Sequence, residues 1–116
     1  MALNWKIRFN ENGKVPSFYN VFSELNHNEI NGFEVTAPTK NLLERFYFIF
    51  LEDSEDYPRV KIRMQALEKI YRAMGLPVEI CEFQGENVWV KILSSLLLAE
   101  WASFISRPTT AWTPKP

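Results

Sequence analysis

The chain has 116 residues, 47% hydrophobic and 15% aromatic, with 13 basic and 14 acidic side chains and a formal net charge of −1. That length predicts a single domain, that apolar content excludes a disordered chain, and that charge balance supplies no general attraction for nucleic acid or an anionic membrane. The single cysteine, Cys81, excludes an internal disulfide. It fits a reducing, cytoplasmic setting and reads as a small buried hydrophobe rather than a reactive thiol.

At the amino end, Trp5-Lys6-Ile7-Arg8 follows the start too closely for a secretory signal. Trp5, Ile7 and Phe9 alternate with Lys6 and Arg8, the period of two expected of a half-buried strand. Asn10-Glu11-Asn12-Gly13 supplies a turn, and Ser17 is a candidate N-cap for a short helix over residues 18–26. Residues 29–37, with Ile30, Phe33 and Val35 around Gly32, read as a strand in which Gly32 marks a bulge or a close backbone approach. Residues 39–52 are open between two forms. Thr39 can cap a helix carrying Leu42, Leu43 and Phe46, whereas the run Phe46-Tyr47-Phe48-Ile49-Phe50-Leu51 reads as a central strand.

The acidic turn at 52–56 precedes Pro58, which suits a first helical turn. Val60, Met64, Leu67, Tyr71 and Met74 then recur at helical spacing, Gly75 stands where a left-handed C′ residue belongs, and Pro77 blocks continuation. Residues 78–83 and 88–93 flank Gln84-Gly85-Glu86-Asn87 and read as a β-hairpin. A last helix, capped by Ser94 or Ser95, runs to about residue 106 and is apolar almost all round, so it belongs either in a core or at an interface. The apolar run from Val88 to Ile105 is broken by Lys91 and Glu100, which reads as soluble rather than membrane-spanning.

The order β-α-β-β-α-β matches the split βαβ, or ferredoxin-like, arrangement. The expectation is an α+β single domain over residues 1–107 with an antiparallel sheet, an added C-terminal strand and helix, and an extended tail at 108–116.

No pattern of chemistry-bearing residues stands beside that fold. His27 is the only histidine, set between two asparagines with no nucleophile or orienting partner at recognisable spacing. Glu52, Asp53, Glu55 and Asp56 form the one carboxylate cluster, but their spacing does not match a calcium loop, and a solvated helix-entry turn explains them. The four glycines are scattered at turns, so no phosphate loop is present. No metal or cofactor site is expected. The first expectation is therefore a non-catalytic binding or assembly protein, a homodimer joined through Trp89, Leu97, Trp101 and Phe104 with Trp112 in the tail. An alternative is a nucleic-acid-binding domain using Arg59, Lys61, Arg63, Lys69 and Arg72 on the basic helix. A third is a small metal-dependent enzyme using the acidic turn.

Overall fold

The architecture, a computed structural model, describes residues 1–108. The chain is a small α+β domain of helices and one two-stranded sheet. Two compact units can be distinguished within it: residues 20–83, and residues 1–19 together with the chain from Gln84 onward.

The unit at 20–83 holds the core. Strand β1, Phe48–Glu52, pairs in parallel with strand β2, Val78–Glu82, in the register Phe48↔Val78, Phe50↔Ile80 and Glu52↔Glu82. Parallel neighbours need a long crossover, and helix α5, Pro58–Ala73, provides it. Its buried side chains, Met64, Leu67 and Tyr71, lie at the predicted spacing and pack with Leu43, Phe50, Leu76 and Val78. Gly75 ends the helix at φ +78°, a conformation that disfavours any side chain, and Leu76 N–H returns to the Tyr71 carbonyl at 2.9 Å. Three single-turn helices precede the sheet: α2, Phe22–Leu25; α3, Glu29–Gly32; and α4, Lys40–Leu43. Phe33 meets Phe46, Phe48 and Tyr71 edge-on, which joins these turns to the core through aromatic contacts.

In the other unit, helix α1, Ala2–Arg8, runs into a π-helical turn, Phe9–Gly13, and packs with helix α6, Val88–Ile105. The Trp5 indole N–H donates to Ser95 Oγ at 2.9 Å. Both oxygens of Glu100 are engaged, one by Arg8 Nε at 3.0 Å and the other by Asn12 Nδ2 at 2.8 Å.

Several expected elements differ. The sheet is parallel, not antiparallel, and the ferredoxin-like order is not found among the described residues. Residues 4–9 are helical, because Trp5 and Phe9 share a helix face as readily as a strand face; their rings lie 6.3 Å apart. Ser17 does not cap a helix: its N–H donates to Asn10 Oδ1 at 2.8 Å, and α2 begins only after Val21. The strand expected at 29–37 is replaced by α3, and Gly32 has open space around it rather than a close backbone neighbour. Residues 39–52 contain both proposed forms in succession, α4 and then β1.

The hairpin fails at its second arm. Asn87, read as a turn residue, caps α6: its Oδ1 accepts from the N–H groups of Trp89 at 3.0 Å and Val90 at 3.1 Å. Gly85 belongs to the same turn, where a Cβ would stand 2.8 Å from the Lys91 amide nitrogen. The tail, including Trp112, lies outside the described residues apart from Pro108.

Candidate functional site

The turn between α2 and α3 carries His27, the chain's single histidine. His27 is exposed at its apex, and its N–H donates to the Glu24 carbonyl at 3.0 Å, so the backbone sets where the imidazole starts. Glu29 is held by Asn20, whose Nδ2 donates to Oε1 at 2.6 Å. Below the turn lies Tyr71 of α5, with no exposed surface. Burial, and then the negative charge of Glu29, push its hydroxyl up to about 12, so it stays a neutral phenol. Tyr71 Oη and Asn26 Oδ1 are buried, and neither meets a hydrogen-bond partner among the described residues. Buried polar atoms are nearly always paired, and two left open beside one turn depart from that rule.

Histidine is among the side chains that general acid–base chemistry most often uses. Sequence reasoning treats His27 as an ordinary surface residue because Tyr71, Asn26 and Glu29 lie on three different elements. Tyr71 reads from sequence only as one of five core positions on an amphipathic helix. The hydroxyl on an otherwise apolar stripe is the signal that singles it out.

The other predicted site residues fall elsewhere. Trp89, Leu97, Trp101 and Phe104 are exposed along α6, with the Trp101 and Phe104 rings 6.5 Å apart, edge to face. The five basic residues of α5 do not act as one patch. Lys61 Nζ donates to the Ser54 carbonyl, Arg72 pairs with Glu68 at 2.9 Å, and Arg59, Arg63 and Lys69 are exposed. In the acidic turn, Asp53 Oδ1 accepts from Glu55 N–H at 2.9 Å and Asp56 Oδ2 from Asp53 N–H at 2.8 Å. These carboxylates organise the entry to α5, and no group of three or more metal-ligating side chains converges among the described residues. Cys81 on β2 is partly buried; burial and the charge of Glu79 push its thiol up, so little of it is thiolate at neutral pH.

Over residues 1–106 the chain matches the family described as bacterial phospho-glucose isomerase C-terminal SIS domain. It is 35% identical over 103 residues to a bifunctional phosphoglucose/phosphomannose isomerase of Caldicellulosiruptor bescii, covering 89% of this chain and 30% of that protein. It is 28% identical over 116 residues to the protein of the same name from Aquifex aeolicus, covering all of this chain and 35% of the relative. A third such isomerase, from Thermoplasma volcanium, is 31% identical over 104 residues, covering 90% of this chain and 31% of the relative. The chain thus spans about a third of the length of the curated relatives it matches. No solved structure matches. These matches overturn the expectation of a non-catalytic assembly protein, which rested on the lack of a compact motif in a chain whose polar groups are dispersed over several elements. By its match along nearly the whole length, the chain belongs to the bacterial phosphoglucose isomerase C-terminal SIS-domain family.

Proposed function

We propose that this chain serves as the C-terminal domain of an isomerase acting on phosphorylated glucose and mannose, with the turn at residues 24–29 contributing to proton transfer. The family match over residues 1–106 carries this reading. Interconverting an aldose and a ketose moves a proton between the carbonyl carbon and its neighbour. Such a step needs a group that accepts a proton on one side of the reaction and donates it on the other. His27 is the group of that kind on this turn. Asn26 Oδ1 and Tyr71 Oη lie buried behind it, closed to substrate, and set the turn's polar surroundings rather than contacting a ligand. The single cysteine, which can form no disulfide within this chain, favours a cytoplasmic setting for the reaction.

The test uses the whole isomerase that carries this domain, with glucose 6-phosphate and mannose 6-phosphate in deuterated water, following isomerisation and deuterium uptake at the carbon beside the carbonyl by proton NMR. Isomerisation with uptake is expected, and His27→Gln should slow both on the order of 100-fold while the melting temperature stays unchanged. Neither isomerisation nor exchange with either sugar phosphate would refute the assignment. A His27→Gln variant as fast as its parent would remove the turn from the chemistry.

A further inference from the structure

Two asparagines in this chain are followed directly by glycine, at Asn12–Gly13 and Asn31–Gly32. In such a pair the glycine amide nitrogen has no β-carbon beside it, so it can reach the asparagine side-chain carbonyl when the backbone opens. The two pairs sit in opposite surroundings. Gly13 is buried in the π-helical turn, where a Cβ would stand 3.1 Å from the Ser103 carbonyl oxygen, and Asn12 Nδ2 is held by Glu100 at 2.8 Å. Asn31 and Gly32 are both exposed, and nothing lies within 4 Å of where a Cβ on Gly32 would stand. They close α3, a single turn without a side-chain cap, and a helix that short opens at little cost.

We propose that Asn31–Gly32 is a spontaneous modification site, at which the Asn31 side-chain amide is lost and an aspartate or isoaspartate takes its place. Hydroxide removes the proton of the Gly32 amide, and that nitrogen attacks the Asn31 side-chain carbonyl carbon. The new C–N bond forms, the bond to the side-chain nitrogen breaks, and ammonia leaves with a proton from water, which restores the hydroxide. Water then opens the five-membered imide at one of its two carbonyls. Opening on one side leaves aspartate in an ordinary main chain; opening on the other leaves isoaspartate, with the main chain routed through the former side chain. No electrons are exchanged, and water is the co-reactant.

The position gives the change its consequence. Either product sets a carboxylate two residues after Glu29 and four after His27, at the C-terminal end of α3, where the helix dipole disfavours negative charge. Isoaspartate also lengthens the main chain by one carbon just ahead of Phe33, whose ring meets Phe46, Phe48 and Tyr71 edge-on. The turn that carries His27 is tied to the core through Phe33, so the modification acts on that tie. The site is independent of the isomerase assignment, since it rests on Asn31, Gly32 and the single turn that holds them.

Mass spectrometry of the full chain, held in mildly alkaline buffer and sampled over time, tests it. Trypsin separates the two pairs into peptides 9–14 and 15–40, and fragmentation distinguishes Asn31 from Asn20, Asn26 and Asn28. In the folded chain Asn31 should convert more than about tenfold faster than Asn12, the factor set by a retained hydrogen bond to a carboxylate. In urea the two rates should converge. Two products of equal mass, aspartate and isoaspartate, should elute apart. Gly32→Ala, which the open space around Gly32 accommodates, should suppress the conversion without lowering the melting temperature. An Asn31 that stays intact in the folded chain overturns the site. Equal rates at Asn12 and Asn31 in the folded chain, or rates that stay apart in urea, overturn the selection by structure. A single product, or a Gly32→Ala variant as fast as its parent, would point to direct hydrolysis and overturn the imide route.

Discussion

Tyr71 carries more consequence than any other single side chain. It is wholly buried, it touches Phe33, Phe48 and Phe50, and its hydroxyl has been taken out of water beside the charge of Glu29. Its folded value of about 12 lies above the ordinary 10.0, so the neutral form is favoured in the fold. The stability tied to that neutral form is intact below pH 10 and is lost as pH rises through the window from 10 to about 12, where the unfolded chain ionises first. Two pH units correspond to roughly 2–3 kcal/mol. Urea unfolding at pH 7, 9 and 11 should show Tyr71→Phe losing less stability over that range than its parent, by about 1.4 kcal/mol, since pH 11 reaches half of the window. At pH 7 the variant should be no less stable, because it removes a buried hydroxyl that meets no partner among the described residues. A variant that weakens with pH as steeply as the parent would show that Tyr71 is not the group responsible.

Among the elements, α6 depends on a cap at its start. Asn87 satisfies two amides of the first turn, and Asn87→Ala should cost about 1 kcal/mol, read as a lower urea midpoint, while Asn87→Asp should hold most of it. Equal midpoints for Ala and Asn would mean that the cap contributes nothing. The same residue shows where sequence reading stops. Asn87 follows Gly85 and precedes an apolar run, and that pattern suits a hairpin turn and a capped helix alike; the length of the run decides, and it continues to Ile105. At α5 the local signals agree. Pro58, the five-residue apolar stripe and Gly75 each mark the same helix, and it forms within a residue of the expected bounds. In residues 4–9 they conflict, since Trp5 and Phe9 satisfy both periods and only the bond to Ser95, 90 residues away, settles the outcome. The turn at 24–29 was illegible for the same reason: its partner Tyr71 is distant in sequence, and no spacing rule connects them.

At the scale of the whole molecule, apolar surface is distributed unevenly. The 20–83 unit closes its core around Tyr71 and Leu67, whereas helix α6 in the other unit leaves its largest apolar side chains outward and buries small ones. The two units are also nested in sequence: residues 20–83 are continuous, while the unit around them needs both the first 19 residues and those from Gln84 onward. During synthesis the inner unit is complete once Phe83 has left the ribosome, but Trp5 must wait for Ser95. A chain truncated after Phe83 should therefore protect the amides of β1 and β2 from hydrogen exchange while its Trp5 indole emits as a solvent-exposed fluorophore; unprotected strands would show that the inner unit cannot form first. For that interval residues 1–19 are a synthesised segment whose packing partner in α6 does not yet exist, so they would have to be kept from binding elsewhere until Ser95 follows.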